Sequence, residues 1–129
     1  MEALGYAGPD MDAEHIIMCA RLWKLLGLDG LRLEINTLGT AETRARYRSR
    51  LVHYLEGRAA EIDEDSRRRM HSNPLRVLDS KNPAMQDVIE QAPRLIDDLD
   101  EGALRHFEDV QAYARAAGVS FTINPRLVR

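Results

Sequence analysis

Arg67-Arg68-Arg69-Met70-His71-Ser72-Asn73-Pro74-Leu75-Arg76-Val77-Leu78-Asp79-Ser80-Lys81 decides how the rest of the chain is read. Three arginines suit the last turn of a helix, where unpaired carbonyls carry partial negative charge. Pro74 then stops it, because the proline ring pushes the residue before it toward extended backbone. The residues after Pro74 are expected to form a short extended run that opens the next helix. Upstream, Asp63, Glu64 and Asp65 suit the first turn of the arginine helix, placed near Ile62 to Ser72. Downstream, Asn82-Pro83 reads as a cap followed by proline at the first helical position, with a helix to Gln91 and a break at Pro93.

Working outward, Gly39-Thr40 turns the chain and caps a helix to about Arg58, with Ala41, Ala45, Val52 and Leu55 expected on its inner face. Before it, Leu31, Leu33 and Ile35 alternate with Arg32, Glu34 and Asn36, the period of a half-buried strand. The stretch Met11 to Leu26 reads as a helix capped by Asp10. Its wide apolar stripe, including Trp23, Met18, Leu22, Leu25 and Leu26, predicts burial on more than one side. Met1 to Tyr6 is compatible with a strand end. After Asp100 a last helix carries Leu104, Phe107, Val110, Ala114 and Ala117 at three- and four-residue steps, and Gly118 closes it. Val119, Phe121 and Ile123 then alternate with polar residues as a final strand. The fold class expected is α+β, mostly helical, with two or three short strands and a helical insertion between two of them.

Bulk properties exclude several classes. The chain has 129 residues, 44% hydrophobic and 30% charged, which suits one globular domain burying roughly two-thirds of its unfolded surface. A formal net charge of −3 gives no general attraction for nucleic acid, so any such contact needs a local patch. Cys19 is a single cysteine, which excludes an internal disulfide and fits a reducing compartment. It falls on an apolar stretch of helix and reads as packing. No apolar run approaches a membrane span, and Met1-Glu2-Ala3-Leu4 has no basic-then-apolar leader pattern, so a cytoplasmic location is expected. His15, His53, His71 and His106 are scattered, with no cysteine or carboxylate at zinc-ligand spacing, and no metal site is expected. Neither a glycine-rich phosphate loop nor a nucleophile elbow is present.

The string RRMxxNPLRVLDSK, from Arg68 to Lys81, resembles one in the helical segment inserted into bacterial histidyl-tRNA synthetases, which are class II enzymes. Gly8-Pro9-Asp10-Met11-Asp12-Ala13-Glu14 is similar to the helix start that follows motif 2 in that family. Leu33 to Gly39 resembles its next strand and turn, and Arg126-Leu127-Val128-Arg129 the opening of its histidine-specific motif. The resemblance covers essentially the whole chain. It implies a fragment, since motif 1, most of motif 2, motif 3 and the anticodon-binding domain are absent. The organisation it implies is catalytic core over 1–39, helical insertion over 40–94, and a return helix and strand over 95–129.

By that resemblance Glu2 holds the ammonium group of histidine, a task suited to a carboxylate in a charge-assisted hydrogen bond. Arg129 lies against the α-phosphate of ATP, where a permanently charged, forked guanidinium stabilises developing charge. The parent enzyme uses ATP with Mg2+, histidine and tRNA(His), and works as a homodimer; nothing is expected bound to the fragment, which alone is expected to be inactive. Arg67, Arg68, Arg69 and Arg76 could touch tRNA phosphates, although Asp63 to Asp65 lie one turn earlier and offer them partners. Arg32 and Glu34, on the polar face of their strand, could face substrate or simply pair. Two rival readings stand beside this one. The first is the synthetase-like regulatory subunit of the ATP phosphoribosyltransferase of histidine biosynthesis. The second is a free-standing helical RNA-binding module.

Overall fold

The structure is a computed structural model that describes residues 3–128. Five α-helices and two very short strands follow in the order α1 (Pro9–Leu25), β1 (Glu34–Ile35), α2 (Ala41–Gly57), α3 (Glu64–Arg69), α4 (Gln86–Glu90), α5 (Glu101–Ala116) and β2 (Thr122–Ile123). Three 3-10 segments lie between them, at Pro74–Asp79, Pro83–Met85 and Leu95–Asp98. The mostly helical α+β class expected from the sequence is what is observed. The chain divides into two compact units, one of residues 3–35 with Glu101–Asn124, the other of Asn36–Asp100 with 125–128.

In the first unit α1 packs on α5. Ala13 and Ala114 are sealed at the contact, with Phe107 and Val110 beside them. His106 Nε2 meets Asp12 Oδ2 at 2.9 Å across the pair. The wide apolar stripe of α1 does not bring burial on two sides: only Ala13 is fully buried, and Leu25 is 84% exposed. Two short helices cannot surround one another, so the far side of α1 stays uncovered within its unit. Asp10 does not cap. Pro9 at the first helical position starts α1 one residue early, so Gly8 is the cap residue and Asp10 falls in the first turn. In α5, Leu104 faces out and Gln111 is buried instead.

The strands run parallel, with Glu34 opposite Thr122 and Ile35 opposite Ile123. Only two residues of each alternating stretch form ladder. Parallel pairs need both faces covered, and Leu31 and Ile123 are exposed here. The strand end expected within Met1 to Tyr6 does not form over residues 3–6; residues 1 and 2 lie outside the described residues.

The second unit holds the main core: Tyr47, Leu51 and Leu55 of α2, with Ile62, Met70, Val77, Leu78, Met85, Val88, Ile89, Ala92, Leu95 and Val128. The inner face of α2 is therefore Thr43, Tyr47, Leu51 and Leu55; of the expected Ala41, Ala45, Val52 and Leu55, only Leu55 lies on it. A four-residue row carrying Tyr and Leu removes more apolar area from water than one built on alanines, and it sets the helix rotation. Gly39 turns the chain into α2 with φ 58°, and a Cβ there would come within 2.9 Å of the Leu99 side chain. Thr40 caps α2 as expected, accepting from the Thr43 backbone N–H at 3.1 Å. Along α2 a row of guanidinium groups reaches main-chain carbonyls. Arg44 donates to Gly39 O, Arg46 to Asp98 O, Arg48 to His71 O and Ser72 O, and Arg50 to Arg94 O.

The segment after Pro74 is not extended but a 3-10 helix. Residues three apart eclipse one another in that geometry, which brings Pro74 and Val77 onto one buried side. The arginine helix is also shorter than expected, because Ile62 enters the core before α3 starts and Asp63 takes the cap position. Asp63 Oδ1 accepts from Ser66 N at 2.8 Å, and Oδ2 from Asn82 Nδ2 at 3.1 Å. The backbone bond from Ser66, then the side-chain bond from Asn82, hold this carboxyl below its ordinary 3.8. Such a group contributes stability above the unfolded value, and that contribution is lost as pH falls below it. Asp63→Ala is therefore expected to cost about 1 kcal/mol at neutral pH. In urea titrations the difference from the parent should vanish as pH falls below the ordinary carboxylate range; a constant difference down to acid pH would contradict the cap.

Candidate functional site

The two positions expected to carry chemistry, Glu2 and Arg129, lie outside the described residues. The described chain next to Arg129 is held by the second unit at three successive residues. Arg126 Nη2 stands 3.6 Å from Glu90 Oε1. The carbonyl of Leu127 accepts from Asn36 Nδ2 at 3.0 Å, and Val128, 2% exposed, is part of the helical core. The amide oxygen of Asn36 is buried with no hydrogen-bond partner. Pro125 and Arg126 also wall a cleft of about 330 Å3 with Tyr47, Ile89 and Arg94. Burial pushes the Tyr47 hydroxyl up to about 12, so it stays protonated at any working pH.

Of the four arginines expected to reach tRNA, three have partners within the fold. Arg67 donates to Ile62 O at 3.1 Å, Arg68 pairs with Glu64, and Arg69 reaches Asp65 at 3.1 Å. The last two are the pairs with the acidic first turn that the sequence predicted, whereas Arg67 turns instead to a backbone carbonyl ahead of the helix. Arg76 is exposed on the 3-10 segment, and its guanidinium has no hydrogen bond or ion pair among the described residues. Arg69 and Arg76 border one shallow cleft together with Asp63, Asp65 and Asp79, so the surface there is of mixed charge. Arg32 and Glu34 pair with each other at 2.7 Å, and Glu34 also accepts from Asn124 Nδ2 at 2.7 Å. That second bond joins the ends of the two parallel strands. No three His, Cys, Asp or Glu side chains converge as a metal site among the described residues.

Asn36, Glu90 and Val128 are the residues sequence reasoning missed. Asn36 looks like an ordinary polar position of an alternating strand, and its partner is 91 residues away. The only local signal was an apolar doublet, Leu127-Val128, just before the final arginine.

No family model matches the chain. The histidine--tRNA ligase of Nitrosomonas europaea is 60% identical over 129 residues, covering 100% of this chain and 31% of that protein. That of Aromatoleum aromaticum is 56% identical over 129 residues, covering 100% of this chain and 30% of that protein. Among solved structures, apo S. aureus histidyl-tRNA synthetase matches with TM-score 0.74 and 33% identity over 98% of this chain and 30% of that one. The fold and these likenesses point to one stretch of an aminoacyl-tRNA synthetase. Along its whole length the chain is similar to histidine--tRNA ligases, and its fold matches that of a histidyl-tRNA synthetase. It spans 28–31% of the length of the curated relatives it matches.

Proposed function

We propose that this chain is the middle of a class II histidine--tRNA ligase, running from the end of motif 2 through a helical insertion to the start of the histidine-specific motif. Residues 1–39 belong to the catalytic core, 40–94 to the insertion, and 95–129 to the return into the core. Identity of 60% along all 129 residues with a histidine--tRNA ligase carries this reading over a regulatory subunit or a free-standing RNA-binding module.

In the proposed reaction the carboxylate of histidine attacks the α-phosphorus of ATP, a P–O bond breaks, and pyrophosphate leaves with the electron pair. The terminal adenosine hydroxyl of tRNA(His) then attacks the acyl carbon, and AMP departs. Glu2 holds the substrate ammonium, which selects a cationic amine. Arg129 forks onto the α-phosphate oxygens and stabilises the charge that grows in the transition state. The donor set described here does not suit a resident Mg2+, so the Mg2+ that accompanies ATP is assigned no ligand in this stretch. Of Arg67, Arg68, Arg69 and Arg76, Arg76 is the one whose guanidinium is uncommitted and available to a tRNA phosphate. The enzyme is a cytoplasmic homodimer in this reading; no helix among the described residues is long and apolar enough to cross a membrane.

Placing these 129 residues in the corresponding stretch of the Nitrosomonas europaea enzyme tests the assignment. Histidine-dependent exchange of pyrophosphate into ATP should persist in the hybrid, while the 129-residue chain alone should give none. A folded, dimeric hybrid without exchange would overturn the assignment, and exchange by the chain alone would overturn the division of the site between this stretch and the rest.

A further inference from the structure

We infer that Asn36 and Val128 are positioning residues for the reaction assigned to Arg129, because they, rather than the strand ladder, hold the backbone at Leu127 and Val128 that leads to it. This rests on the reading of Arg129 given above.

The β1–β2 ladder ends where Asn124 N donates to Ile35 O at 3.0 Å. Beyond that rung the backbones stop pairing. Pro125 fixes one dihedral of the segment that leaves the ladder, but Arg126, Leu127 and Val128 would still be free to turn without further restraints. Three restraints replace the ladder. The Asn36 amide spans the gap and donates to the Leu127 carbonyl at 3.0 Å. Only its –NH2 can do so, which fixes the amide orientation. Its oxygen is left buried and unpartnered. A group that served only to fill space would not carry that penalty. Next, Val128 is inserted into the core formed by α2, α4 and the 3-10 segments, so the residue one peptide bond before Arg129 cannot translate without opening the core. Glu90, just beside Ile89 of that core, draws in Arg126.

A side chain that neutralises a phosphate in the transition state must be held to a fraction of an ångström, and a shift of about 1 Å can cost about 100-fold in rate. Neither Asn36 nor Val128 needs to touch substrate to matter; they act through Arg129.

The test is a double-mutant cycle in the hybrid enzyme. Asn36→Ala should lower kcat for histidine-dependent exchange by about 10- to 100-fold while KM for histidine holds. In an Arg129→Ala background the same substitution should change nothing further. Val128→Ala should act like Asn36→Ala, and Val128→Ile, which keeps the buried anchor, should retain the parent rate. Equal losses from Asn36→Ala in both backgrounds, or no loss in either, would overturn the inference. Arg129→Ala with the parent rate would instead sink the reading of Arg129 itself. A second measurement needs no catalysis. In the 129-residue chain, 15N order parameters at Leu127 and Val128 should fall in Asn36→Ala while those of α2 stay rigid. Unchanged order at both would remove the anchor.

Discussion

Leu51→Ala is expected to destabilise the helical unit by about 2–5 kcal/mol, enough to consume most of the stability of so small a body. Leu51 is 0% exposed and sits midway along the buried row of α2 between Tyr47 and Leu55. Every other part of the unit is built of pieces too short to hold themselves: α3 has 6 residues and α4 has 5, and the 3-10 segments have 6, 3 and 4. Short helices of that kind are unstable alone and exist because α2 gives them a wall. A cavity at Leu51 removes that wall from several at once. Urea titration followed by circular dichroism should show an early transition with the loss of helical signal from this unit. A midpoint equal to the parent's would mean that the core is not centred on α2. The same substitution should slacken the hold on Val128, and so reach the reaction from a distance.

Arg129→Ala is the larger effect. In a full-length hybrid it should lower kcat for histidyl-adenylate formation by about 100- to 1,000-fold, the range seen when one preorganised charge-stabilising donor is removed from an active site. Arg129→Lys should recover only part of this, since an ammonium restores the charge but not the two-pronged geometry. Pre-steady-state measurement of pyrophosphate release separates chemistry from product release. Full activity in Arg129→Ala would remove this residue from the catalytic set.

Where the sequence was legible, the reason was local. Thr40 and Asn82 cap the segments that follow them, through bonds to backbone N–H groups two or three residues on. Such short-range chemistry is written in adjacent letters. The acidic start and basic finish of α3 likewise pair at four-residue spacing. What failed depended on the other side of a contact. The inner face of α2 could not be chosen between two apolar rows without knowing what packs on it. The run after Pro74 reads as extended until its burial against α2 and α3 makes a 3-10 turn the tighter solution. The breadth of the α1 stripe promised neighbours that its own unit does not contain. As for the site, its end residues were named by likeness to a family, and the residues that brace Arg126, Leu127 and Val128 escaped notice because they join positions far apart in the chain.

The guanidinium row of α2 has a consequence for how this body responds to its surroundings. Arg44, Arg46, Arg48 and Arg50 each bond a neutral peptide oxygen, and only Arg46 and Arg50 add an ion pair, with Glu42 and Asp98. Dissolved electrolyte screens pairs of full charges far more than it disturbs such charge-to-dipole bonds. The body should thus keep its integrity in concentrated brine.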